Sequence, residues 1–120
     1  MTLAPGQLDT LFQALGDPTR RAVLERLAEG PASVTDLARP FDMALPSLLA
    51  HIRKLEASGL VETEKEGRTR TVRLQPGAFT PVRTWLDEQR AIWEDRLDRL
   101  DDYVTRLMEE RENDGSRSGN

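Results

Sequence analysis

The stretch Ser33–Leu60, SVTDLARPFDMALPSLLAHIRKLEASGL, decides the fold of this chain. Ser33 followed by Asp36 is typical of a capped helix start, and Pro40 prevents that helix from continuing. A turn over residues 41–43 then leads into a second, longer helix. Two helices separated by a tight turn predict a helix-turn-helix.

The second helix of this pair is predicted to begin around Ala44 or Leu45 and to end at Ser58, with Pro46 in its first turn. At about 100° per residue, it has one apolar and one polar face. The apolar face is predicted to be buried and contains Leu45, Leu48, Ile52 and Leu55, with Leu49 at its edge. The opposite face contains Pro46, Ser47, Ala50, Arg53 and Lys54.

The segments on either side complete the pattern of a winged helix-turn-helix. Residues 8–15 and 18–27 have apolar residues at helical spacing, and Asp17 followed by Pro18 is typical of a capped helix start. Residues 61–74 alternate in part and turn at Glu66–Arg68, which predicts a β-hairpin, the wing. Thr80 and Pro81 then start a long helix, predicted over residues 81–112. The fold class is therefore mainly α with a small β-hairpin, in the order α-α-α-α-β-β-α.

The last helix carries an apolar seam at intervals of seven, or of four and three, which is suited to packing against another helix. Arg90 interrupts this seam, so a long uninterrupted coiled coil is not expected. We predict one domain over residues 1–112, which includes the long helix, and a disordered tail over residues 113–120. The small size of the domain favours a partner subunit.

Composition narrows the possible functions. The chain has 120 residues, 38% of them hydrophobic, with no cysteine and one histidine. Disulfides and thiolate metal sites are therefore excluded, and no metal site or cofactor is expected. No nucleophile motif or phosphate-binding glycine loop suggests an enzyme. No leader or membrane-spanning stretch is apparent, so we expect a cytoplasmic protein without membrane contact.

The charge is unevenly distributed along the chain. The net charge is −4, but residues 44–74 contain six basic and four acidic residues, whereas residues 84–114 contain five basic and eleven acidic ones. The predicted helix-turn-helix and wing are thus weakly basic, and the last helix is acidic. A weakly basic surface beside an acidic flank is compatible with binding to a polyanion.

Three segments together resemble the ArsR/SmtB family of bacterial winged-helix repressors: LGDPTRRAVLERLAEGP, SVTDLARPFDMALPSLLAHIRKLEASGLV and EKEGRTRTVRL. The resemblance covers about Leu8–Glu110, and it is greatest to a branch that lacks metal sites. It implies a homodimer, paired through the first and last helices, that binds imperfect palindromes in promoters. The implied interface residues are Leu8, Leu11, Phe12, Leu86, Trp93, Leu97, Leu100, Val104 and Leu107.

Two groups of side chains are candidates for contacting double-stranded DNA. The second helix offers Ser47, Ala50, His51, Arg53 and Lys54, and the hairpin offers Lys65, Arg68 and Arg70. Other roles remain open: His51 as a structural hydrogen-bonding residue, the hairpin charges as solubilising groups, and Arg20 and Arg21 as scaffold salt bridges.

The predicted function is that of a dimeric repressor of its own or neighbouring promoters that does not respond to metals. The alternative is a winged-helix module that binds a protein and has weak or no affinity for DNA. An unknown small-molecule or protein inducer is compatible with the first function. Nothing in the chain identifies that inducer.

Overall fold

The structure, a computed structural model, describes the backbone of residues 6–118 and the side chains of residues 6–114. It contains five helices and three strands within that range. They are α1 (Gln7–Leu15), α2 (Pro18–Leu27), β1 (Ala32–Ser33), α3 (Val34–Ala38), α4 (Leu45–Ala57), β2 (Val61–Glu66), β3 (Thr69–Leu74) and α5 (Thr80–Ser118). The mainly helical winged helix-turn-helix is confirmed.

The sheet differs from the prediction by one strand. β1 pairs antiparallel with β3, with Ala32 opposite Val72 and Ser33 opposite Thr71. The result is a three-stranded sheet in the order β1-β3-β2, where the sequence predicted a two-stranded hairpin. Two residues are too few to show the alternation that identifies a strand, so β1 had no sequence pattern of its own.

Helix starts follow the predicted local chemistry. The Asp17 carboxylate accepts a hydrogen bond from the backbone N–H of Arg20 at 3.0 Å, with Pro18 as the first residue of α2. At α3, the Ser33 hydroxyl oxygen accepts from the backbone N–H of Asp36 at 3.1 Å. Each cap satisfies a backbone donor that has no partner within its helix.

The first of two compact units, Met1–Arg83, contains the hydrophobic core. The core side chains of α4 are Leu48, Ile52 and Leu55, as predicted. Leu45 was predicted on the same face, but it is 46% exposed. The angular position of Leu45 is right, but it lies in the first turn of α4, beyond the end of the core. Periodicity shows which face of a helix is apolar, but it does not show over what length of the helix the core covers that face.

The second unit, Thr84–Asn120, contains most of α5. The single domain predicted over residues 1–112 stays a prediction. The helix continues to Ser118, where the sequence predicted an end at about residue 112, and residues 119–120 lie outside the described range. Disorder of the tail over residues 113–120 stays a prediction. Extending an existing helix requires only one more residue to be ordered per hydrogen bond, so weak helix formers can follow a long helix.

In the described range, no helix has both the length and the apolar character needed to span a bilayer.

Candidate nucleic-acid interface

The first half of α4 presents its outer face to solvent. Ser47, Ala50, Arg53 and Lys54 are exposed, while Leu48 and Ile52 fix the opposite face in the core. The predicted outward face is therefore confirmed as a surface. Because buried leucines hold the helix rigidly, its exposed side chains have defined positions.

The wing separates its charges onto two faces. In the antiparallel register Lys65 lies opposite Arg70, and Glu64 lies opposite Thr71. Directly opposed residues share a face of the sheet and successive residues alternate. Lys65 and Arg70 therefore share the face on which Val72 is buried, and Glu64 lies on the other face.

The acidic face of the wing is partly neutralised within the hairpin. Arg73 Nε lies 3.2 Å from Glu62 Oε1, and Arg73 Nη2 lies 3.0 Å from Glu64 Oε2. Both hydrogen bonds raise the pKa of Arg73, and the one to Glu64 makes the larger contribution. The small net charge of the hairpin sequence is therefore the sum of two different faces. One face is cationic, and the other is acidic and partly neutralised by Arg73.

A groove of about 450 Å³ opens between α3, the start of α4 and the cationic face of the wing. We call it the wing groove. Its basic residues are Arg39, Lys65, Arg68 and Arg70, and its apolar wall includes Leu45 and Leu49. Lys65, Arg68 and Arg70 were predicted as DNA contacts. Arg39 and Leu45 were not, because only the tertiary structure brings α3 and the first turn of α4 beside the wing.

Hydrogen bonds connect the wing to α4. The Thr63 hydroxyl donates to Glu56 Oε2 at 2.6 Å, and Arg70 Nη1 donates to Thr63 Oγ1 at 2.9 Å. Arg70 is therefore held against Thr63 on the neighbouring strand. Arg68 occupies the tip, after Gly67 with φ +61°, a conformation that suits glycine in a tight hairpin turn.

His51 takes part in a buried network centred on Arg20. Arg20 is 8% exposed, and its Nε and Nη2 donate to the carbonyls of Ala14 at 2.7 Å and Gln13 at 2.9 Å. Its Nη1 lies 3.1 Å from His51 Nδ1. A guanidinium can only donate, so Nδ1 is the acceptor when this hydrogen bond forms.

This network joins the end of α1 to the start of α2 and to the middle of α4. Arg20 satisfies two C-terminal carbonyls of α1, whereas the sequence predicted a scaffold salt bridge for it. Arg21 likewise donates to the Leu15 carbonyl at 2.8 Å. The structural role considered for His51 is present, and a DNA contact through His51 stays a prediction.

Asp17 makes the stability of this region dependent on pH. The hydrogen bond from the Arg20 backbone N–H, with smaller contributions from nearby His51 and Arg20, lowers the pKa of Asp17 below its ordinary value of 3.8. Its stabilising contribution is complete above that ordinary pKa and is lost as pH falls through the lowered pKa. We expect Asp17→Ala to cost about 1 kcal/mol at neutral pH.

Urea unfolding at pH 7 and at pH 3 measures this effect, and the difference between wild type and Asp17→Ala should shrink at the lower pH. Asp9→Ala is the control, because Asp9 is an acid in the first turn of α1, a helix without a side-chain cap hydrogen bond. A difference that is the same at both pH values would show that the Asp17 charge is not involved.

The candidate dimer residues have two different environments. In the first unit Leu11 is 2% exposed and packs in the core, which corrects its predicted place at an interface. Helical spacing places Leu8, Leu11 and Phe12 on one apolar stripe, but it does not show which of them the core covers. Leu8 is half-buried, and Phe12 is exposed.

In the second unit the whole predicted seam is exposed. It consists of Leu86, Trp93, Leu97, Leu100, Val104 and Leu107. Arg96 lies 5.5 Å from the centre of the Trp93 ring, so a cation covers part of that indole. An exposed apolar stripe of this length is characteristic of a protein contact surface.

Among the residues that the structure describes, no group of three or more histidine, aspartate or glutamate side chains is arranged to hold a metal ion.

Known proteins are similar to this chain in both sequence and fold. A family model described as a helix-turn-helix domain matches residues 15–64. The HTH-type transcriptional regulator Rv2034 of Mycobacterium tuberculosis is 40% identical over 79 residues, which is 66% of this chain and 74% of that protein. The crystal structure of an ArsR family transcriptional regulator is 56% identical, with a TM-score of 0.74, over 78% of this chain and 97% of that one. The chain belongs to the ArsR family of transcriptional regulators.

Two further relatives extend the comparison for this ArsR-family chain. The transcriptional repressor SdpR of Bacillus subtilis is 30% identical over 61 residues, which is 51% of this chain and 68% of that protein. A homodimeric winged helix-turn-helix DNA-binding domain from Mycobacterium bovis has a TM-score of 0.56 and 30% identity, over 69% of this chain and 81% of that one.

Proposed function

We propose that this ArsR-family chain is a homodimeric repressor that binds an imperfect palindrome in its own or a neighbouring promoter. The wing groove carries this proposal, because it combines the exposed start of α4 with Lys65, Arg68 and Arg70 on one surface. A helix that fits the major groove beside cations that fit phosphates is the arrangement that duplex DNA requires.

The two parts of the surface have different tasks. The first half of α4 enters the major groove, where Ser47 and Ala50 meet base edges and Arg53 and Lys54 lie further along the exposed face. The wing cations bind phosphates or enter the adjacent minor groove. The acidic residues Glu62 and Glu64 lie on the other face of the wing, so they do not repel the DNA at close range.

A second copy of the chain covers the exposed seam of α5. Six large apolar side chains on one stripe exceed what a monomer normally exposes, and the Mycobacterium bovis neighbour is homodimeric. Phe12 and the exposed part of Leu8 on α1 offer the partner copy a further apolar surface. Two-fold symmetry then presents two copies of α4 to two half-sites of a palindrome.

Repression follows from occupation of the promoter, since a bound dimer blocks polymerase. SdpR, a relative, is a transcriptional repressor. A metal inducer is not part of this proposal, because the chain has no cysteine and a single histidine. An inducer of other chemistry, a small molecule or a protein, is compatible with it.

Fluorescence anisotropy of the full chain with its own upstream DNA and with a scrambled duplex, at two salt concentrations, tests the proposal. We expect tighter and salt-sensitive binding to the upstream DNA. Selection from a random duplex library covers the case in which the operator lies elsewhere in the genome. A library that yields no preferred sequence would contradict the proposal and favour the protein-binding module.

Replacement of Arg68 and Arg70 by alanine is expected to weaken binding to all sequences alike. Each lost charge-assisted contact is worth about 1.5 kcal/mol or roughly tenfold, so the double variant should lose about 100-fold per protomer. The slope of log K against log salt should fall by about 3 to 4 per dimer, which loses four contacts at about 0.9 each. Anisotropy titrations at several salt concentrations measure both.

The matched control is Arg73→Ala, which removes a wing arginine whose partners are Glu62 and Glu64 on the other face. It should leave the slope nearly unchanged. Equal loss of slope in Arg73→Ala and in the double variant would show that only total charge matters.

A further inference from the structure

Leu45 is an exposed leucine that the fold does not explain. It is 46% exposed at the start of α4, and it is absent from the partly buried residues that pack on the core, which include Leu49. A large apolar side chain costs free energy when it remains in water. Its position in the wall of the wing groove suggests a contact with whatever the groove binds.

The first half of α4 offers few hydrogen-bonding groups for reading bases. Over residues 44–50 the exposed side chains are those of Ala44, Leu45, Pro46, Ser47 and Ala50, and only Ser47 among them can donate or accept. His51 follows, but its Nδ1 is already engaged by Arg20. Hydrogen-bonded readout is therefore limited at the part of a recognition helix that usually contacts base edges.

The major groove of DNA contains one apolar recognition feature, the C5 methyl group of thymine. We propose that Leu45 selects thymine at a defined position of each half-site by apolar contact with that methyl group. The inference rests on the proposed function, DNA binding through α4 and the wing.

Charge on the same surface supports DNA as the occupant. Arg39, Lys65, Arg68 and Arg70 line the wing groove together with Leu45, so an apolar contact lies inside a cationic frame. Asp36 also lines the groove and lies 3.3 Å from Arg39. A purely apolar partner would supply no counter-charge to Lys65, Arg68 and Arg70. A duplex supplies phosphates for the cations and a methyl group for the leucine.

Replacement of thymine by deoxyuridine tests the proposal, because it removes the methyl group and leaves base pairing intact. The operator is first obtained by selection from a random duplex library with the full chain, and each of its thymines is then replaced in turn. Burial of one methyl group is worth about 0.8 kcal/mol, or roughly fourfold in affinity. We expect about a fourfold loss at the contacted thymine in one half-site and about 15-fold when both half-sites are changed.

Two variants of Leu45 connect the effect to this side chain. Leu45→Ser should bind the thymine and deoxyuridine operators equally, whereas Leu45→Met should retain the preference for thymine. Arg68→Ala is the matched control from the same groove and should weaken binding to both operators by the same factor. Circular dichroism confirms that each variant is folded, which the exposure of Leu45 leads us to expect.

The possible results separate this inference from the proposed function. Sequence-preferring binding that tolerates deoxyuridine at every position would overturn the thymine contact and leave the repressor in place. A thymine preference that persists unchanged in Leu45→Ser would assign the contact to another residue and also overturn the inference. Failure of the chain to select any DNA sequence would overturn the proposed function and this inference together.

Discussion

Replacement of Leu100 by glutamate is expected to produce a folded monomer that binds a two-half-site operator at least about 100-fold more weakly. Leu100 lies mid-way along the exposed seam of α5 and is 56% exposed in the single chain. A carboxylate at this position loses its hydration when the partner helix covers it, and no contact in an apolar seam offsets that cost in free energy. Losing the second subunit removes the avidity of two linked half-sites, typically 100-fold or more.

Sedimentation equilibrium measures the association state, and anisotropy measures affinity for the operator. Thr105→Glu is the matched control, since it adds the same charge to the same helix at an exposed position outside the seam. It should leave a dimer with nearly normal affinity. A Leu100→Glu protein that remains dimeric would place the dimer interface elsewhere.

Replacement of Arg20 by alanine is expected to lower the free energy of unfolding by about 3 kcal/mol. The variant loses two charge-assisted hydrogen bonds to the Ala14 and Gln13 carbonyls, each worth about 1.5 kcal/mol or more. It also leaves those carbonyls without their donor at the end of α1. This loss is a large share of the roughly 5–15 kcal/mol that stabilises a typical domain. Urea unfolding followed by circular dichroism measures it.

The neighbouring arginine provides the control for this variant. Arg21 is exposed, and its guanidinium donates to a single carbonyl, that of Leu15. Arg21→Ala should therefore cost less than about 1 kcal/mol, as is usual for exposed substitutions. Equal losses in the two variants would mean that the buried network around Arg20 contributes no more than one surface hydrogen bond.

Local sequence was sufficient to predict the helices and the turn. Asp17 with Pro18, and Ser33 with Asp36, are capping patterns whose chemistry acts within four residues, and both caps are present. The apolar period likewise predicted burial of Leu48, Ile52 and Leu55. These features depend on neighbours along one helix, so a single chain segment contains the information.

Features that join distant segments were not predictable in the same way. β1 exists only because Ala32 and Ser33 meet β3, some forty residues later. Leu11 and Leu45 belong to regular apolar stripes, yet the core covers the first and leaves the second exposed. An apolar stripe in the sequence shows on which side of the helix axis a residue lies. The exposure of that residue depends on which other elements pack against the helix.

The sequence by itself determined the order of the helices and the hairpin, the caps and the ArsR family, because these depend on short-range chemistry and on motif spacing. The tertiary structure alone decided which charges act together. Strand alternation and register place Lys65 and Arg70 on one face of the wing and Glu62 and Glu64 on the other. Packing brings Arg39 and Leu45 beside them. Electrostatic and apolar contacts act through space, so residues far apart along the chain become one surface only after folding.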